Sequence, residues 1–212
     1  FRNMLPIRDV FKSEEWSLQR MQRHSIFTNA GGYPIKGHHI LFQALSIVKE
    51  CYPDYKCYIP GPKLITFNNI KRQTGYTKML NDLIRQYDMY DNIIYTGSLG
   101  SEGMVKHLAT CNVYVMPSIM ENHSSSLIEA MMVGTPSISS LVGGTASLVR
   151  HCENAIIYNS LDSKSLAGNI IRVFKNDDFA DKLSKNALYM RKERSGDFGE
   201  EMNYIYKQLI ES

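Results

Sequence analysis

The sequence predicts an α/β fold: a Rossmann-like, doubly wound parallel sheet of about six strands, flanked by helices and followed by C-terminal helices. Two observations carry this prediction. Short apolar, β-branched runs alternate with amphipathic runs of helical period along most of the chain. Strands that are buried on both faces and joined by crossover helices form sheets of this kind. The strands are predicted at residues 25–28, 56–59, 93–96, 113–116, 137–139 and 155–158.

Amphipathic runs of helical period separate these strands and follow the last one. Between the strands, helices are predicted at residues 38–51, 78–90, 102–110, 126–133 and 145–149. After residue 158 the pattern is wholly helical, with helices predicted at residues 164–175, 178–193 and 200–210. Residues 8–21, which precede the first strand, also predict a helix.

Length and composition favour one globular domain. The chain has 212 residues, of which 43% are hydrophobic and 21% are charged. A net charge of +3 is too small for a dedicated nucleic-acid binder, although it suits an anionic small ligand. The apolar stretch 127–133 contains Glu129 and is far shorter than the roughly 18 residues that a membrane span needs. The four cysteines lack metal-finger spacing and favour reduced thiols in the cytosol.

The loops that follow the strands are the expected place of a functional site, because doubly wound sheets bind ligands outside the carboxyl ends of their strands. These loops are residues 30–37, 60–63, 97–101, 118–125 and 141–144. In the last of them, Gly143 and Gly144 form either an anion-binding nest or simply the start of a helix.

The loop at residues 118–125 and the helix after it carry the richest set of polar groups. Glu121 stands at a strand end, where it either contacts a ligand or is a solvated carboxylate. Three serines at 124–126 precede an apolar run, so a helix N-terminus with free N–H groups is expected there, and it favours a phosphate. Glu129 has a structural alternative, because Ser126 and Glu129 match a capping box.

A glycine-rich loop after the first strand carries a second candidate. Lys36 lies between glycines and just ahead of a helix, so it either binds an anionic ligand or is a solvated charge. His38 and His39 are adjacent on a helix and cannot ligate one metal ion together, so both are expected at the surface or at the edge of a cleft. No metal site is predicted, because the remaining histidines have no partner at ligand spacing.

Residues 117–139, PSIMENHSSSLIEAMMVGTPSIS, resemble the Glu-x7-Glu signature of retaining glycosyltransferases of family 4, also called glycosyl transferases group 1. Glu121 and Glu129 stand at the two glutamate positions. The other landmarks follow in the order expected of that family: Lys36-Gly37, PDYKCYIPGP, NIIYTGSL, the Pro-Ser before Glu121, Glu-Ala-Met with Gly134 and Pro136, and VGG. The resemblance runs from about residue 25 to residue 186 and covers most of the chain.

The resemblance implies one half of a GT-B fold, in which two Rossmann-like domains face a cleft. The matching motifs belong to the C-terminal, donor-binding half, which would occupy residues 25–212. Residues 1–24 would then be an N-terminal helix and a connection from an absent N-terminal acceptor domain. In such a protein the last helix either packs on its own domain or crosses back, leaving its apolar stripe partly exposed. Met202, Ile205, Tyr206 and Leu209 form that stripe.

The resemblance also implies a role for each site residue. Glu121 would face the transferred sugar, Lys36 would neutralise the diphosphate, and both are assigned as catalytic. Glu129 would hold the ribose hydroxyls, since a carboxylate accepts the hydrogen bonds that vicinal hydroxyls donate. The remaining donor-binding positions are Asn122, His123, Ser124, Ser125, Gly32 and Gly61. Members of the family generally need no metal, so the nucleotide-diphosphate sugar is a co-substrate and no cofactor is expected.

The chain departs from the family pattern at three places. An Arg commonly stands five residues before the Lys, and Gly31 occupies that position here. Asn122-His123-Ser124 replaces the usual Gly-Phe-Gly, and Ser147 replaces a Glu that often follows the Gly-Gly pair. These departures are typical of either a divergent surface-polysaccharide subfamily or a weakened enzyme.

The sequence therefore leads to two hypotheses. In the first, the chain is the donor domain of a cytoplasmic glycosyltransferase that acts on a glycan or a lipid-linked acceptor in surface polysaccharide biosynthesis. Peripheral contact of the full-length protein with a membrane fits that role, and nucleic acid is not an expected partner. In the second, the chain is a non-catalytic module that binds a nucleotide or glycan in the same cleft. A sugar-nucleotide epimerase is a more distant alternative, because it would need a catalytic constellation drawn from two domains.

Overall fold

A computed structural model of the chain describes residues 9–62, 75–194, 204 and 206–210. Its core is one six-stranded sheet with the order β3-β2-β1-β4-β5-β6, and every neighbouring pair of strands is parallel. The predicted Rossmann-like sheet is confirmed. The strands are β1 (Gln22–Thr28), β2 (Lys56–Ile59), β3 (Ile93–Tyr95), β4 (Cys111–Met116), β5 (Ser137–Ser140) and β6 (Ile156–Tyr158).

Helices connect the strands and cover both faces of the sheet. They are α1 (His38–Cys51), α2 (Gly75–Gln86), α3 (Ser101–Thr110), α4 (Ser125–Val133), α5 (Thr145–Leu148), α6 (Ser163–Lys175) and α7 (Asp177–Arg194). Short 3-10 helices occur at Asp9–Lys12 and Pro34–Lys36. Helix α2 ends before the predicted boundary because Asp88 adopts a left-handed φ of 50°, which stops the helix.

The central strand β4 shows why the sheet needs helices on both sides. All six of its residues are buried, and successive side chains point to opposite faces. Val113 and Val115 join the core beneath α1 and α6, while Tyr114 and Met116 join a second core beneath α3 and α4. A strand that is buried on both faces is typical of a parallel sheet.

The helix predicted at residues 8–21 is wrong. Within the described residues this segment has only the 3-10 helix at Asp9–Lys12 and then runs along the domain surface. Trp16 is buried, its indole N–H donates to the Cys111 carbonyl at 2.7 Å, and its backbone N–H donates to the Val133 carbonyl at 2.9 Å. Contacts with residues remote in sequence thus replace the local hydrogen bonds of a helix.

The helix predicted at residues 200–210 lies partly outside the described residues. Tyr204 and residues 206–210 are helical, whereas Met202 and Ile205 of the predicted stripe are outside the described part. The two described stripe residues, Tyr206 and Leu209, are 56% and 67% exposed, so neither belongs to the core.

Candidate donor-binding site

The two loops with the predicted catalytic residues meet at the point where the strand order reverses. The chain runs outward from β1 to β2 and β3, and then outward on the other side from β4 to β5 and β6. The loops after β1 and β4 therefore diverge and leave a crevice at the carboxyl edge, where ligands of such sheets bind. Lys36 lies in the first of these loops and Glu121 in the second.

Lys36 and Glu121, 85 positions apart in sequence, form an ion pair in this crevice. The Lys36 Nζ lies 2.7 Å from the Glu121 Oε1. The side chains are 32% and 16% exposed, so the pair is accessible from the crevice but partly desolvated. The sequence prediction brought both residues to the same edge of the sheet, and the structure places them in direct contact.

Backbone contacts fix the Lys36 loop against the Glu121 loop. The Ile119 N–H donates to the Ile35 carbonyl at 2.8 Å. Gly37 has a φ of +71°, and a Cβ added there would lie 1.8 Å from the Pro117 carbonyl oxygen. Only glycine allows this approach, so the residue after Lys36 holds the cation beside the carboxylate.

The Gly143-Gly144 turn supports the same site from the loop after β5. Gly143 has a φ of +49°, and a Cβ there would lie 1.8 Å from the Glu121 carbonyl oxygen. The Gly144 N–H donates to the Asn122 carbonyl at 2.9 Å, and the Thr145 N–H donates to the Val142 carbonyl at 3.1 Å. These N–H groups already have acceptors within the protein, so the turn starts α5 and packs against the Glu121 loop.

Helix α4 begins at Ser125, with Ser124 as its N-cap. The Ser124 hydroxyl accepts from the Leu127 N–H at 3.3 Å. Glu129 is therefore the fifth residue of the helix rather than the third, and the alternative that Ser126 and Glu129 form a capping box is wrong.

The two glutamates lie near one buried hydroxyl. Tyr114 is fully buried, and burial raises the pKa of its phenol. The carboxylates of Glu129 and Glu121 raise this pKa further, while Ser126 lowers it. The buried Tyr114 phenol is therefore within the electrostatic influence of both carboxylates.

The prediction that His38 lies at the surface or at the edge of a cleft is wrong. It is fully buried, and its Nε2 lies 3.0 Å from the Asn29 carbonyl oxygen, so this nitrogen carries the proton. Burial lowers the pKa of His38 to about 4, and the ring is neutral at pH 7. A Cβ at Gly31 would lie 2.6 Å from this ring. The His38 imidazole thus fills the space beside position 31, where the family commonly has an Arg.

His39, which was predicted at the surface or at the edge of a cleft, lies next to His38 at the start of α1. It is partly buried, and its Nδ1 lies 3.1 Å from the Tyr76 hydroxyl. Burial lowers the pKa of this imidazole as well.

The other predicted binding residues are distributed around the crevice. Asn122 and Ser125 are exposed, and Gly32 is exposed in the loop that carries Lys36. Gly61 lies one strand away, where its N–H donates to the Gly97 carbonyl at 2.8 Å. Both ring nitrogens of His123 are buried and have no hydrogen-bond partner within the described part of the chain. A buried polar group without a partner is costly, so a ligand hydroxyl or phosphate would stabilise this ring.

Sequence reasoning assigned no role to three residues that shape the site. Ser118 donates to Glu121, Asn29 donates to Ser118, and the pKa of the buried Tyr114 phenol is raised by Glu121 and Glu129. Ser118 had a sequence signal, since it follows Pro117 at a strand end, but serine is also common in turns. The partners of Asn29 and Tyr114 depend on the pairing of β1 with β4.

A cavity of about 410 Å³ lies away from this crevice, and Gln22, His107 and Thr110 are among its lining residues. Because Gln22 begins β1 and Thr110 precedes β4, this cavity is at the amino ends of the strands. It contains none of the predicted site residues.

Among the described residues, no group of three His, Cys, Asp or Glu side chains could hold a metal ion. None of the described helices is both long and apolar enough to cross a bilayer.

A Rossmann-like sheet with an ion pair at its switch point is typical of ligand-binding α/β domains. The model of the family "Glycosyl transferases group 1" matches residues 14–189, and the chain belongs to this family.

The curated relatives are longer proteins. Mannosylfructose-phosphate synthase of Agrobacterium fabrum is 21% identical over 151 residues, which cover 71% of this chain and 32% of the relative. Phosphatidyl-myo-inositol mannosyltransferase of Mycobacterium leprae is 25% identical over 159 residues, which cover 74% and 39%. The chain therefore spans between 32% and 39% of the length of these relatives.

Solved structures share the fold. Alr3699/HepE of Anabaena in complex with UDP matches with a TM-score of 0.74 and 22% identity, over 90% of this chain and 49% of that chain. The C-terminal domain of LpcC, a glycosyl transferase group 1 family protein from Francisella tularensis, matches with a TM-score of 0.71 and 16% identity. That match covers 86% of this chain and 96% of the LpcC domain.

Proposed function

We propose that this chain is the C-terminal, donor-binding domain of a retaining glycosyltransferase of family 4. It binds a nucleotide-diphosphate sugar, and the full-length protein transfers the sugar to an acceptor. The observation that carries the proposal is the Lys36–Glu121 contact at the switch point of the sheet. Membership of the family and the structural match to a UDP complex support it.

The residues of the crevice suit the chemistry of donor cleavage. A nucleotide diphosphate gains negative charge as its bond to the sugar breaks, and a fixed Lys36 ammonium stabilises that charge. Glu121 and Glu129 accept hydrogen bonds from sugar and ribose hydroxyls. The N-terminus of α4 adds the positive end of a helix dipole beside the phosphates. Because members of the family that the sequence resembles generally need no metal, we propose that the reaction uses no metal or other cofactor.

The missing partner of this domain is an N-terminal acceptor domain. The match to almost the whole LpcC C-terminal domain, together with the short span over the curated relatives, supports a division of the protein into two halves. Residues 1–24 would then connect the halves, and residues 25–212 would form the donor domain. Transfer requires both reactants in one cleft, so this chain alone should bind donor and transfer little.

We extend the proposal to a role in the cell. The acceptor is a glycan or a lipid-linked saccharide, and the pathway is surface polysaccharide biosynthesis. The protein acts in the cytoplasm, with peripheral membrane contact where the acceptor is lipid-linked. The relative named for a phosphatidyl-myo-inositol acceptor supports a lipid-linked acceptor.

Calorimetric titration of UDP and GDP into the chain tests donor binding. We expect Glu129→Gln to weaken the preferred nucleotide about 10-fold or more, because a hydrogen bond to a charged group contributes about 1.5–3 kcal/mol. Glu102→Gln is the matched control, since Glu102 is an exposed glutamate on α3 outside the crevice. No binding of either nucleotide at millimolar concentration, or equal affinity in Glu129→Gln and wild type, would contradict the proposal.

A non-catalytic binding module is the second candidate, and Gly31 is the observation that favours it. The position that commonly carries a second cation has no side chain and is packed against His38. Sugar-transfer assays on the full-length protein separate the candidates. Loss of transfer in Lys36→Ala and Glu121→Ala supports the enzyme, whereas nucleotide or glycan binding without any transfer by the wild type supports the module.

A further inference from the structure

We propose that Ser118 is a positioning residue that holds Glu121 in place when Lys36 turns to the diphosphate of the donor. This inference rests on the proposed function, because it assumes that Lys36 has a second, anionic partner. It assigns a task to a buried serine that the resemblance includes only as part of the Pro-Ser before Glu121, without a role.

Two donors converge on one oxygen of Glu121. The Ser118 hydroxyl lies 2.9 Å from the Glu121 Oε1, and the Lys36 Nζ lies 2.7 Å from the same atom. Ser118 is completely buried, whereas the Lys36 side chain is 32% exposed. The serine is therefore the fixed donor of the two, and the flexible lysine is the one that can move.

Asn29 sets the direction of the Ser118 hydroxyl. The Asn29 Nδ2 donates to the Ser118 Oγ at 3.3 Å, so the single hydrogen of that hydroxyl is left for Glu121. Asn29 is 7% exposed, and its carbonyl accepts from the buried His38. A relay from amide to hydroxyl to carboxylate polarises each donor in turn.

The backbone of Ser118 is anchored as well. Its carbonyl accepts a hydrogen bond from the Ser140 hydroxyl at the end of β5. Asn29, which follows β1, and Ser140, the last residue of β5, therefore fix the residue that comes shortly after β4. A functional group that is held by rigid neighbouring elements keeps its geometry through a reaction cycle.

The charges explain why Glu121 needs a second donor. A diphosphate carries more negative charge than one carboxylate and attracts the Lys36 ammonium. When the ammonium moves, Glu121 loses its shorter contact while it must still face the sugar. Ser118 then supplies the hydrogen bond that keeps the carboxylate aligned.

The first experiment tests the placement without a ligand. Crystal structures of Lys36→Met, Ser118→Ala and the double variant of this chain give the position of the Glu121 carboxyl group. We expect Oε1 to stay within about 3 Å of the Ser118 Oγ in Lys36→Met, and the carboxyl group to leave this position in the double variant. The inference is overturned if Glu121 turns away in Lys36→Met although Ser118 is intact.

The second experiment separates positioning from binding. In the full-length protein, we expect Ser118→Ala to change the dissociation constant of UDP less than about twofold and to lower turnover about 10-fold or more. Ser137→Ala is the matched control. Ser137 is equally buried, lies at the opposite end of β5 from Ser140 and donates to the Thr135 carbonyl. Unchanged turnover, or parallel losses of UDP affinity and turnover, contradicts a positioning role.

The two experiments also distinguish this inference from the proposed function. If the wild-type protein binds neither UDP nor GDP, the proposed function fails. The crystal structures of the variants still decide whether Ser118 alone can hold Glu121.

Discussion

The two ends of strand β1 each carry an ion pair, and the pairs are built differently. At the amino end, the Arg23 guanidinium forms two hydrogen bonds with Asp177 of α7, at 3.2 Å and 2.7 Å, and the side chains are 61% and 38% exposed. At the carboxyl end, Lys36 meets Glu121 in a crevice where Ser118 supplies a further donor. The exposed pair has the better geometry, but the partly buried pair is the one that neighbouring groups support.

This difference separates a surface contact from a candidate functional one. An exposed ion pair competes with water and contributes little. The pair at the carboxyl end is surrounded by glycines that cannot be replaced without collision, by a buried histidine and by an anchored serine. Such a concentration of constraints is typical of a site whose geometry matters for a ligand.

Substitution of the glycines near the carboxyl end of β1 is expected to have the largest effect on stability. We expect Gly37→Ala and Gly143→Ala each to lower the free energy of unfolding by about 3 kcal/mol or more, because the new Cβ would meet a carbonyl oxygen and φ is positive. Chemical denaturation measures the effect. Gly32→Ala is the control: its Cβ would meet no described atom within 4 Å, so a change below about 0.5 kcal/mol is expected. Equal costs at all three positions would argue against close packing as the cause.

The buried His38 side chain makes the free energy of unfolding depend on pH. Its pKa is lowered from 6.5 to about 4 in the folded protein, so the unfolded chain binds the proton first as the pH falls. The stability contributed by the neutral ring is complete above pH 6.5 and is lost between pH 6.5 and 4, by about 3 kcal/mol.

Unfolding of His38→Gln at several pH values tests this expectation. The variant should lose much of the pH dependence of the wild type in that range. His39→Gln is the matched control, because His39 is adjacent, less buried and also has a lowered pKa. An equal loss of pH dependence in both variants would contradict the assignment to His38.

The smallest effect is expected at the amino end. Hydrogen bonds from Arg23 lower the pKa of Asp177, so any stability from this pair is present above the unfolded pKa near 3.8 and is lost as the pH falls through the folded value. Because both groups are exposed to solvent, Asp177→Asn should leave the unfolding free energy at pH 7 close to that of the wild type. A loss as large as that of Gly143→Ala would reverse the comparison of the two ends.

The sequence predicted the fold better than it predicted the surroundings of the site. Helix α1 and strand β2 have the predicted bounds because apolar periodicity determines them locally. From the sequence, Lys36 and Glu121 could be predicted only to lie at the same edge of the sheet. The direct contact of their side chains depends on the close approach of Gly37 to Pro117, which the apolar periodicity does not reveal.

The errors have specific physical causes. Three consecutive serines can each cap a helix, and tertiary packing selects Ser124, whose hydroxyl contacts the buried Met116 sulfur. His38 was predicted at the surface or at the edge of a cleft because it cannot ligate a metal ion together with the adjacent His39. Its burial depends on the Asn29 carbonyl, an acceptor that no spacing rule reveals. The partners of Trp16 lie far along the chain, so the local pattern wrongly predicted a helix there.

The packing of Gly31 against His38 limits which residues position 31 accepts. The imidazole is buried and hydrogen-bonded, and a Cβ at position 31 would lie 2.6 Å from its ring, so a larger residue there requires the ring to shift. A second cation at this position would therefore depend on a rearrangement of the first residue of α1.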